Sequence, residues 1–261
     1  MSSGLLLRLI EESRVEIDAR RRHYPLSELE RRVASIPMPR SLIDVLRGER
    51  LAVIAEMKAK TPSLGTLVGA DDYHPDQLAA RYQAAGAAAI SVLCQQTSFG
   101  GRPEHLSVAR SRTRLPLLRK DFVIDEYQVV EARALGADGV LLIVAALSPT
   151  RLRQLLMLTW ELGMEALVEV HTEPEVEQAL GVGARVIGVN HRDLTTFAID
   201  LGLTERLRPL LPSKVIYVAE SGIKRRADAL RMRQAGADAV LVGEALMRSI
   251  DPAAQLAELI V

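Results

Sequence analysis

Charged and amide side chains stand where short apolar runs of this 261-residue chain come to an end. These residues are Glu56, Lys58, Lys120, Glu169, Asn190, Arg192, Glu220 and Glu244. In an enzyme pocket, lysine and glutamate transfer protons and stabilise developing charge. Because burying an unpaired charge is costly, such a set persists either as a paired network or as catalytic machinery. We interpret it as catalytic machinery.

A repeated phrase predicts the elements that position these residues. It occurs as AAGAAAISVL (84–93), ALGADGVLLI (134–143), GVGARVIGVN (181–190) and QAGADAVLVG (234–243). Each phrase joins a glycine, which is favoured just past a helix end, to an apolar run typical of a strand buried on both faces. Four more runs of this kind lie at 51–57, 115–118, 165–170 and 214–220. We therefore expect eight parallel strands.

Helical patterns separate these strands. Apolar residues recur at three- and four-residue spacing in 75–84, 127–134, 149–162, 173–180 and 225–234. Strand and helix alternate with no linker, which predicts an α/β fold, a (β/α)8 TIM barrel, as a single domain over residues 1–261. Helical patterns at 5–21, 27–35 and 41–47 precede the first strand, so residues 1–48 are expected to form an N-terminal helical extension.

The active site of such a barrel lies at the carboxyl ends of its strands, where the charged residues would meet. Ser221, Gly222, Gly243 and Glu244 follow strands seven and eight, where these barrels commonly bind phosphate. Glycine lets backbone N–H groups approach an anion, and a helix N-terminus beyond it adds a favourable dipole. The pattern predicts a phosphorylated small molecule as substrate.

Composition restricts the class of protein. Lys+Arg and Asp+Glu both number 33, and this balance gives no indication of a nucleic-acid or membrane partner. The single cysteine, Cys94, excludes an intrachain disulfide, and the histidines show no metal-ligand spacing, so they are expected on the surface or in the core. The run 5–7 is broken at Arg8, which makes it too short for a signal peptide or a transmembrane span. We expect a cytoplasmic protein with no metal site.

Six stretches together resemble the indole-3-glycerol phosphate synthase family of tryptophan biosynthesis. They are IAEMKAKTPSLG (54–65), LLRKDFVIDEYQ (117–128), ALVEVHTEPE (166–175), IGVNHRDLTTF (187–197), VAESGI (218–223) and LVGEALMRS (241–249). Other phosphate-binding barrels share only the last two. The resemblance implies conversion of 1-(2-carboxyphenylamino)-1-deoxyribulose 5-phosphate to indole-3-glycerol phosphate, carbon dioxide and water, with no metal and no organic cofactor.

The resemblance also implies roles for the charged residues. Lys120 is the general acid at the ketone oxygen, and Glu169 acts opposite it as acid–base and electrostatic partner. Lys58 directs the carboxylate and protonates the departing hydroxyl, while Glu56 pairs with the lysines and helps to set their pKa values.

Further residues are expected to bind the substrate by the same resemblance. Asn190, which is counted with the catalytic residues, and Arg192 hold the ring-closure and dehydration region. The sugar hydroxyls are assigned to Glu220 and Ser221, the anthranilate ring to Phe99 and Phe122, and the phosphate to Gly222, Gly243 and Glu244. Thr61 is also expected in the substrate-binding set. The two phenylalanines have an alternative interpretation as caps of the core.

Four residues depart from the family pattern. Thr61 stands in place of a usual serine, Cys94 and Gln95 in place of a threonine and an acid, and Arg102 in place of a small residue. They leave the catalytic set intact and leave open a duplicate enzyme of a specialised indole pathway.

Two other functions also stay open. One is a phosphate-sugar isomerase barrel of the same pathway, and the other is a non-catalytic paralogue kept as a binding or assembly subunit. We expect a monomer or a weak homo-oligomer.

Overall fold

Eight parallel strands close into a barrel in the computed structural model, which describes residues 4–193 and 195–261. The strands are β1 (Ala52–Met57), β2 (Ala89–Leu93), β3 (Leu117–Lys120), β4 (Gly139–Ile143), β5 (Glu165–Val170), β6 (Val186–Asn190), β7 (Ile216–Glu220) and β8 (Ala239–Val242). Each strand pairs with its neighbours in the chain, and β1 pairs with β8 to complete the ring. The predicted TIM barrel is confirmed.

Helices cover the outside of the barrel. They are α1 (Gly4–His23), α2 (Leu26–Val33), α3 (Leu42–Leu46), α4 (Pro75–Ala84), α5 (Glu104–Arg110), α6 (Glu126–Ala134), α7 (Pro149–Glu161), α8 (Glu173–Gly181), α9 (Leu203–Leu207), α10 (Arg226–Gln234), α11 (Glu244–Met247) and α12 (Pro252–Leu259). Short 3-10 turns lie at Ala70–Asp72, Val144–Ala146 and Arg208–Leu210. On the loop after β1, two short antiparallel segments, Lys60–Thr61 and Gly65–Thr66, pair with each other. None of the helices in the described part of the chain is long and apolar enough to cross a membrane.

The third strand differs from its prediction. The apolar run 115–118 predicts a strand that ends at Leu118, but β3 runs from Leu117 to Lys120. Pro116 has no N–H to donate, which disfavours a strand across it. Arg119 continues the strand because it is fully buried and paired with Asp121 and Glu131. Consequently Lys120 belongs to the strand itself.

Apolar side chains fill both faces of the sheet. Inside the barrel, Ile54, Leu118, Leu167 and Val218 are fully buried or nearly so. Outside, a larger buried cluster packs the strands against the helices. Burial on both faces explains the near-continuous apolar runs of the sequence.

The N-terminal helices lie at opposite ends of the barrel. Leu42 of α3 packs near Gly139, the first residue of β4, and so lies at the amino ends of the strands. Leu5 and Leu9 of α1 line the cavity at the carboxyl ends. The predicted extension therefore closes one end of the barrel with α3 and borders the other with α1; residues 1–3 lie outside the described range.

Candidate active site

One cavity at the carboxyl ends of the strands brings together all the site residues that the sequence singled out. They are Glu56, Lys58, Thr61, Phe99, Lys120, Phe122, Glu169, Asn190, Arg192, Glu220, Ser221, Gly222, Gly243 and Glu244. The structure also places there Leu5, Leu9, Ser63 and Lys224, which the sequence did not single out.

Lys120 lies between two buried carboxylates. Its Nζ donates to Glu169 Oε2 at 3.1 Å and lies 3.4 Å from Glu220 Oε2. Asn190 donates its amide to the other oxygen of Glu169 at 3.2 Å. The strands supply all four groups near their carboxyl ends, so the arrangement is held by the rigid barrel and not by mobile loops.

The two carboxylates beside Lys120 hold protons differently. Burial alone would raise the pKa of Glu169, but the positive charges of Lys120 and His171 outweigh it and lower that pKa. Burial raises the pKa of Glu220 well above its usual range, and the negative charge of Glu169 raises it further. Glu169 is therefore the stronger acid of the two and Glu220 binds a proton more readily, a divergence of pKa values that suits separate acid and base roles.

The same carboxylates keep Lys120 charged. Burial lowers the pKa of Lys120, but attraction to Glu169 and Glu220 outweighs burial and raises the pKa above its usual range. The lysine is therefore an ammonium group at neutral pH, with a proton to donate.

A second ion pair stands at the carboxyl end of β1. Lys58 Nζ donates to Glu56 Oε1 at 2.6 Å. Glu56 belongs to β1, and Lys58 directly follows the strand. The side chain of Lys58 is 16% exposed whereas that of Glu56 is 5% exposed. The lysine therefore reaches into the cavity while its partner is anchored in the barrel.

The absence of a side chain at Gly243 leaves room for the Glu56 side chain. A Cβ at Gly243 would meet the Glu56 carboxylate and lie 3.1 Å from the Glu56 Cβ. A valine at this position would therefore disturb the Glu56–Lys58 pair as well as any anion held by the backbone. Gly222 is similarly enclosed, with φ +83° and Ile199 and Leu201 within 2.9 Å of an added Cβ.

His171 is an ionisable neighbour of Glu169 that the sequence interpretation missed. Its Nε2 lies 3.6 Å from Glu169 Oε1, and its Nδ1 lies 3.3 Å from Glu175 Oε2. Burial lowers the pKa of His171, but the hydrogen bond to Glu175 and the nearby Glu169 raise it above the usual value. Residues i and i+2 share a face in extended chain, so the spacing from Glu169 was the available signal. By contrast, His191 is a core residue bonded to Thr204.

Polar residues on the later loops complete the rim. Arg192 NH2 donates to Glu244 Oε2 at 3.3 Å, and Arg192 N donates to Asn190 Oδ1 at 3.1 Å. Thr61 Oγ1 lies 3.1 Å from Ser63 Oγ on the loop after β1. The first of these contacts joins the loop after β6 to the segment after β8, and the other two hold their own loops.

Phe99 and Phe122 form an aromatic corner. Their ring centroids are 6.2 Å apart at an interplanar angle of 41°. Phe122 is 7% exposed and Phe99 is half-buried, and both line the cavity. An aromatic ligand ring has a suitable apolar contact here.

The residues that depart from the family pattern lie mostly outside the cavity. Cys94 is fully buried and its thiol donates to Val92 O, while Arg102 is exposed. Gln95 is fully buried behind the loop that carries Phe99. Only Thr61 among the four lines the cavity.

Solved structures of low identity share the fold. An N-acetylmannosamine-6-phosphate 2-epimerase from Clostridium perfringens matches with a TM-score of 0.62 at 16% identity, covering 81% of this chain and 93% of that one. A thiamine phosphate pyrophosphorylase from Pyrococcus furiosus matches with a TM-score of 0.59 at 18% identity, covering 80% and 93%. At these identities the likeness concerns the fold alone.

Curated relatives match over nearly the whole chain. Indole-3-glycerol phosphate synthase 2 of Streptomyces coelicolor is 53% identical over 250 residues, 96% of each chain. The indole-3-glycerol phosphate synthase of Dehalococcoides mccartyi is 48% identical over 260 residues, 98% of this chain and 100% of that one. The family model described as indole-3-glycerol phosphate synthase matches residues 6–259. The chain therefore belongs to the indole-3-glycerol phosphate synthase family.

Proposed function

We propose that this chain is a carboxy-lyase that converts 1-(2-carboxyphenylamino)-1-deoxyribulose 5-phosphate to indole-3-glycerol phosphate, carbon dioxide and water. Family membership over residues 6–259 supports the reaction. Its chemistry requires a proton donor for an alkoxide, a cation for a carboxylate and a base for a carbon-bound proton. The cavity contains groups suited to each requirement.

Ring closure uses Lys120. The aromatic carbon that carries the carboxylate attacks the ketone carbon, and the carbonyl oxygen becomes an alkoxide. Lys120 gives this oxygen a proton, since it is an ammonium ion at the end of β3 and points into the cavity. Glu169, 3.1 Å from Nζ, stabilises the ammonium before the transfer.

Decarboxylation follows, at the substrate carboxylate that Lys58 holds in position. The bond from the ring to the carboxylate breaks, and its electron pair restores the aromatic ring while carbon dioxide leaves. Glu56 holds Lys58 at 2.6 Å and keeps the ammonium at the cavity wall. Asn190 and Arg192 hold the region where the new ring forms.

Dehydration gives the indole. The new hydroxyl leaves as water with a proton from Lys58, and Glu169 takes a proton from the carbon beside the nitrogen. Two protons are delivered in the whole reaction and one is removed, so each turnover takes up one proton. The proton on Glu169 can return to Lys120 across their hydrogen bond.

The remaining site residues bind the substrate. Phe99 and Phe122 contact the anthranilate ring, Glu220 and Ser221 contact the sugar hydroxyls, and Thr61 contributes from the rim. Backbone N–H groups at Gly222, Gly243 and Glu244 bind the phosphate, and Lys224, which lines the same cavity, adds a positive charge.

The observation that carries this proposal is Lys120 held between Glu169 and Glu220 in a cavity with a second lysine and an aromatic corner. The purified protein should produce indole fluorescence when mixed with the ribulose-phosphate substrate. A folded protein that produces none would favour the non-catalytic paralogue. If it instead isomerises phosphoribosylanthranilate, the isomerase function is the correct one.

The organisation and setting of the enzyme belong to the same proposal. We infer a single domain over residues 1–261, a monomer or weak homo-oligomer in solution and a cytoplasmic location. A closed barrel with the N-terminal helices α1 and α3 packed on it supports the single domain.

A further inference from the structure

A polar face of α1 holds the loop that follows β2. The Glu16 carboxylate accepts from Gln96 N at 3.2 Å, from Thr97 N at 2.9 Å and from Thr97 Oγ1 at 2.8 Å. One turn earlier, Glu12 accepts from Ser98 Oγ at 2.8 Å. Four donors from consecutive loop residues thus end on two carboxylates of one helix.

Gln95 lies fully buried at the centre of this contact. Its Nε2 donates to Glu12 Oε2 at 3.0 Å and to Glu16 Oε1 at 3.3 Å. Its Oε1 accepts from Ser98 N at 2.8 Å and from Phe99 N at 3.2 Å. One amide therefore joins the helix to the backbone of a cavity-lining phenylalanine.

The network continues from α1 to the other phenylalanine. Arg20 lies 3.7 Å from Glu16 and donates to Glu131 Oε1 at 2.9 Å. Glu131 accepts from Arg119, which in turn donates to Asp121 at 2.8 Å. Asp121 Oδ1 then accepts from the backbone N of the next residue, Phe122, at 2.9 Å.

We propose that Gln95 is a positioning residue for the aromatic part of the substrate, acting through Phe99 and tied by the α1 carboxylates to the network that holds Phe122. This proposal rests on the proposed function and adds to it how the two rings are held 6.2 Å apart. None of the polar groups of Gln95, Glu12 or Glu16 lines the cavity in the described part of the chain, so their effect on the substrate is indirect.

In this chain a neutral amide, in place of the acid usual at this position in the family, faces the two glutamates of α1. A glutamate at position 95 would put a third carboxylate within about 3.3 Å of two others, where like charges repel strongly in a buried site. It would also lose both donors of the amide. The loop, and Phe99 with it, would move away from Phe122.

The first test compares Gln95→Glu with Gln96→Glu, the same chemical change at the adjacent, exposed position. Gln95→Glu should raise KM for the ribulose-phosphate substrate about tenfold and leave kcat within about twofold, because an interaction made equally in the ground and transition states is lost. Gln96→Glu should change neither constant by more than about twofold. Glu12→Gln added to Gln95→Glu should recover part of the KM by removing one repelling charge.

A second comparison substitutes residues of α1, where a change endangers folding less than one at the buried Gln95. Glu16→Ala removes four hydrogen bonds to the loop, including the one from Gln95, and alanine is a good helix former. The control is Glu11→Ala, an exposed glutamate of the same helix whose partner is Arg14. Glu16→Ala should raise KM several-fold, and Glu11→Ala should not.

Binding measurements separate this inference from the proposed function. By calorimetry, the affinity for anthranilate should fall about tenfold in Gln95→Glu and several-fold in Glu16→Ala, and the affinity for inorganic phosphate should change by less than about twofold in both. Lack of turnover by the unaltered protein would remove the proposed reaction but leave this comparison valid. If folded Glu16→Ala binds anthranilate as the unaltered protein does, the inference is wrong; equal weakening of anthranilate and phosphate would also overturn it, since it would show a general loss of structure.

Discussion

Lys120 owes its protonation state to the carboxylates on either side of it. A lysine this deeply buried would lose its proton more easily than in water, because burial disfavours the charged form. Glu169 and Glu220 reverse that effect and raise the pKa of Lys120. The general acid is therefore charged when the substrate arrives, and the donated proton leaves a neutral amine beside two carboxyl groups.

Replacing Lys120 by methionine tests its role directly. Lys120→Met keeps a long stem and removes the proton, so indole formation should fall by about 10²-fold or more. The protein should still fold at neutral pH, because the raised pKa of Glu220 lets that carboxyl take up a proton once the lysine charge is gone. Near-normal turnover by a variant with an intact thermal unfolding transition would remove Lys120 from the mechanism.

The two carboxylates should respond differently to the same substitution. Glu169→Gln removes an ionised base and should lower kcat by about 10²- to 10⁴-fold. Glu220→Gln replaces the carboxyl whose pKa is raised, and the neutral amide resembles its protonated form, so kcat should fall by less than about tenfold. Steady-state kinetics of both variants at pH 7 decide the point, and equal losses would mean that Glu220 works in its ionised form.

His171 should make stability depend on pH. Its pKa is raised in the folded protein by Glu175, Glu169 and Glu220, although burial acts in the opposite direction; Asp193 is the other charged group near it. A raised pKa means that the protonated ring stabilises the fold below the unfolded pKa of 6.5, and that this contribution is lost as pH rises through the folded pKa.

The matching experiment compares the unaltered protein with His171→Gln by urea denaturation. The difference in free energy of unfolding should be largest near about pH 5.5 and should shrink toward about pH 9. A difference that stays constant over this range would show that the ring is neutral throughout.

At the scale of elements, strand β3 shows what sequence patterns cannot resolve. The glycine phrases and apolar runs predicted all eight strands, because burial on both faces leaves a strong signal. The run that ends at Leu118 did not predict that Arg119 continues the strand, since its burial depends on Glu131, twelve residues later on α6. Helix α1 was predicted with nearly its observed bounds, but its docking on the β2 loop depends on side-chain contacts across about 80 residues.

Removing the cation from this buried network should be costly. Arg119→Met would leave Asp121 without its partner and Glu131 with only Arg20. Loss of one member of a buried ion pair typically costs about 3–5 kcal/mol in free energy of unfolding. Urea denaturation measures the loss.

The control for Arg119 is Arg21→Met, which breaks the more exposed pair with Asp125. An exposed pair contributes about 0–1 kcal/mol. If both variants lose the same amount, the buried network adds no special stability to β3.

For the whole molecule, the balance of 33 cations and 33 anions implies that no overall field attracts a phosphorylated substrate. Long-range attraction of an anion follows the net charge of a protein and its distribution. Since the net charge is zero, we expect anion binding to come from local groups at the ends of β7 and β8. The position of Gly222 and Gly243 after these strands led to the prediction that they bind phosphate. Nothing in the sequence indicated that Gly243 also makes room for Glu56. That contact joins strands at opposite ends of the chain, which pair only when the barrel closes.

Inorganic phosphate should therefore raise the thermal unfolding temperature of the protein in a saturable way. A ligand at 100 times its dissociation constant adds about 2.7 kcal/mol to the free energy of unfolding. Chloride at the same ionic strength is the control and should give no saturable increase. Phosphate should also compete with the substrate; stabilisation without competition would mean that the anion binds elsewhere.

The docking of α1 has a consequence for the order in which the protein is made. This helix leaves the ribosome before its partners, since Gln95 and Glu131 come 79 and 111 residues after the helix residues that bind them. At about 5–20 residues per second, Glu16 and Arg20 wait roughly 5–20 s before the last of them is synthesised. During that interval the contacts of α1 with Gln95 and Glu131 cannot all form, and the helix is exposed to solvent where they would cover it. We expect a nascent chain stalled before residue 95 to be cut readily by protease within α1, and one extended beyond residue 134 to be protected there.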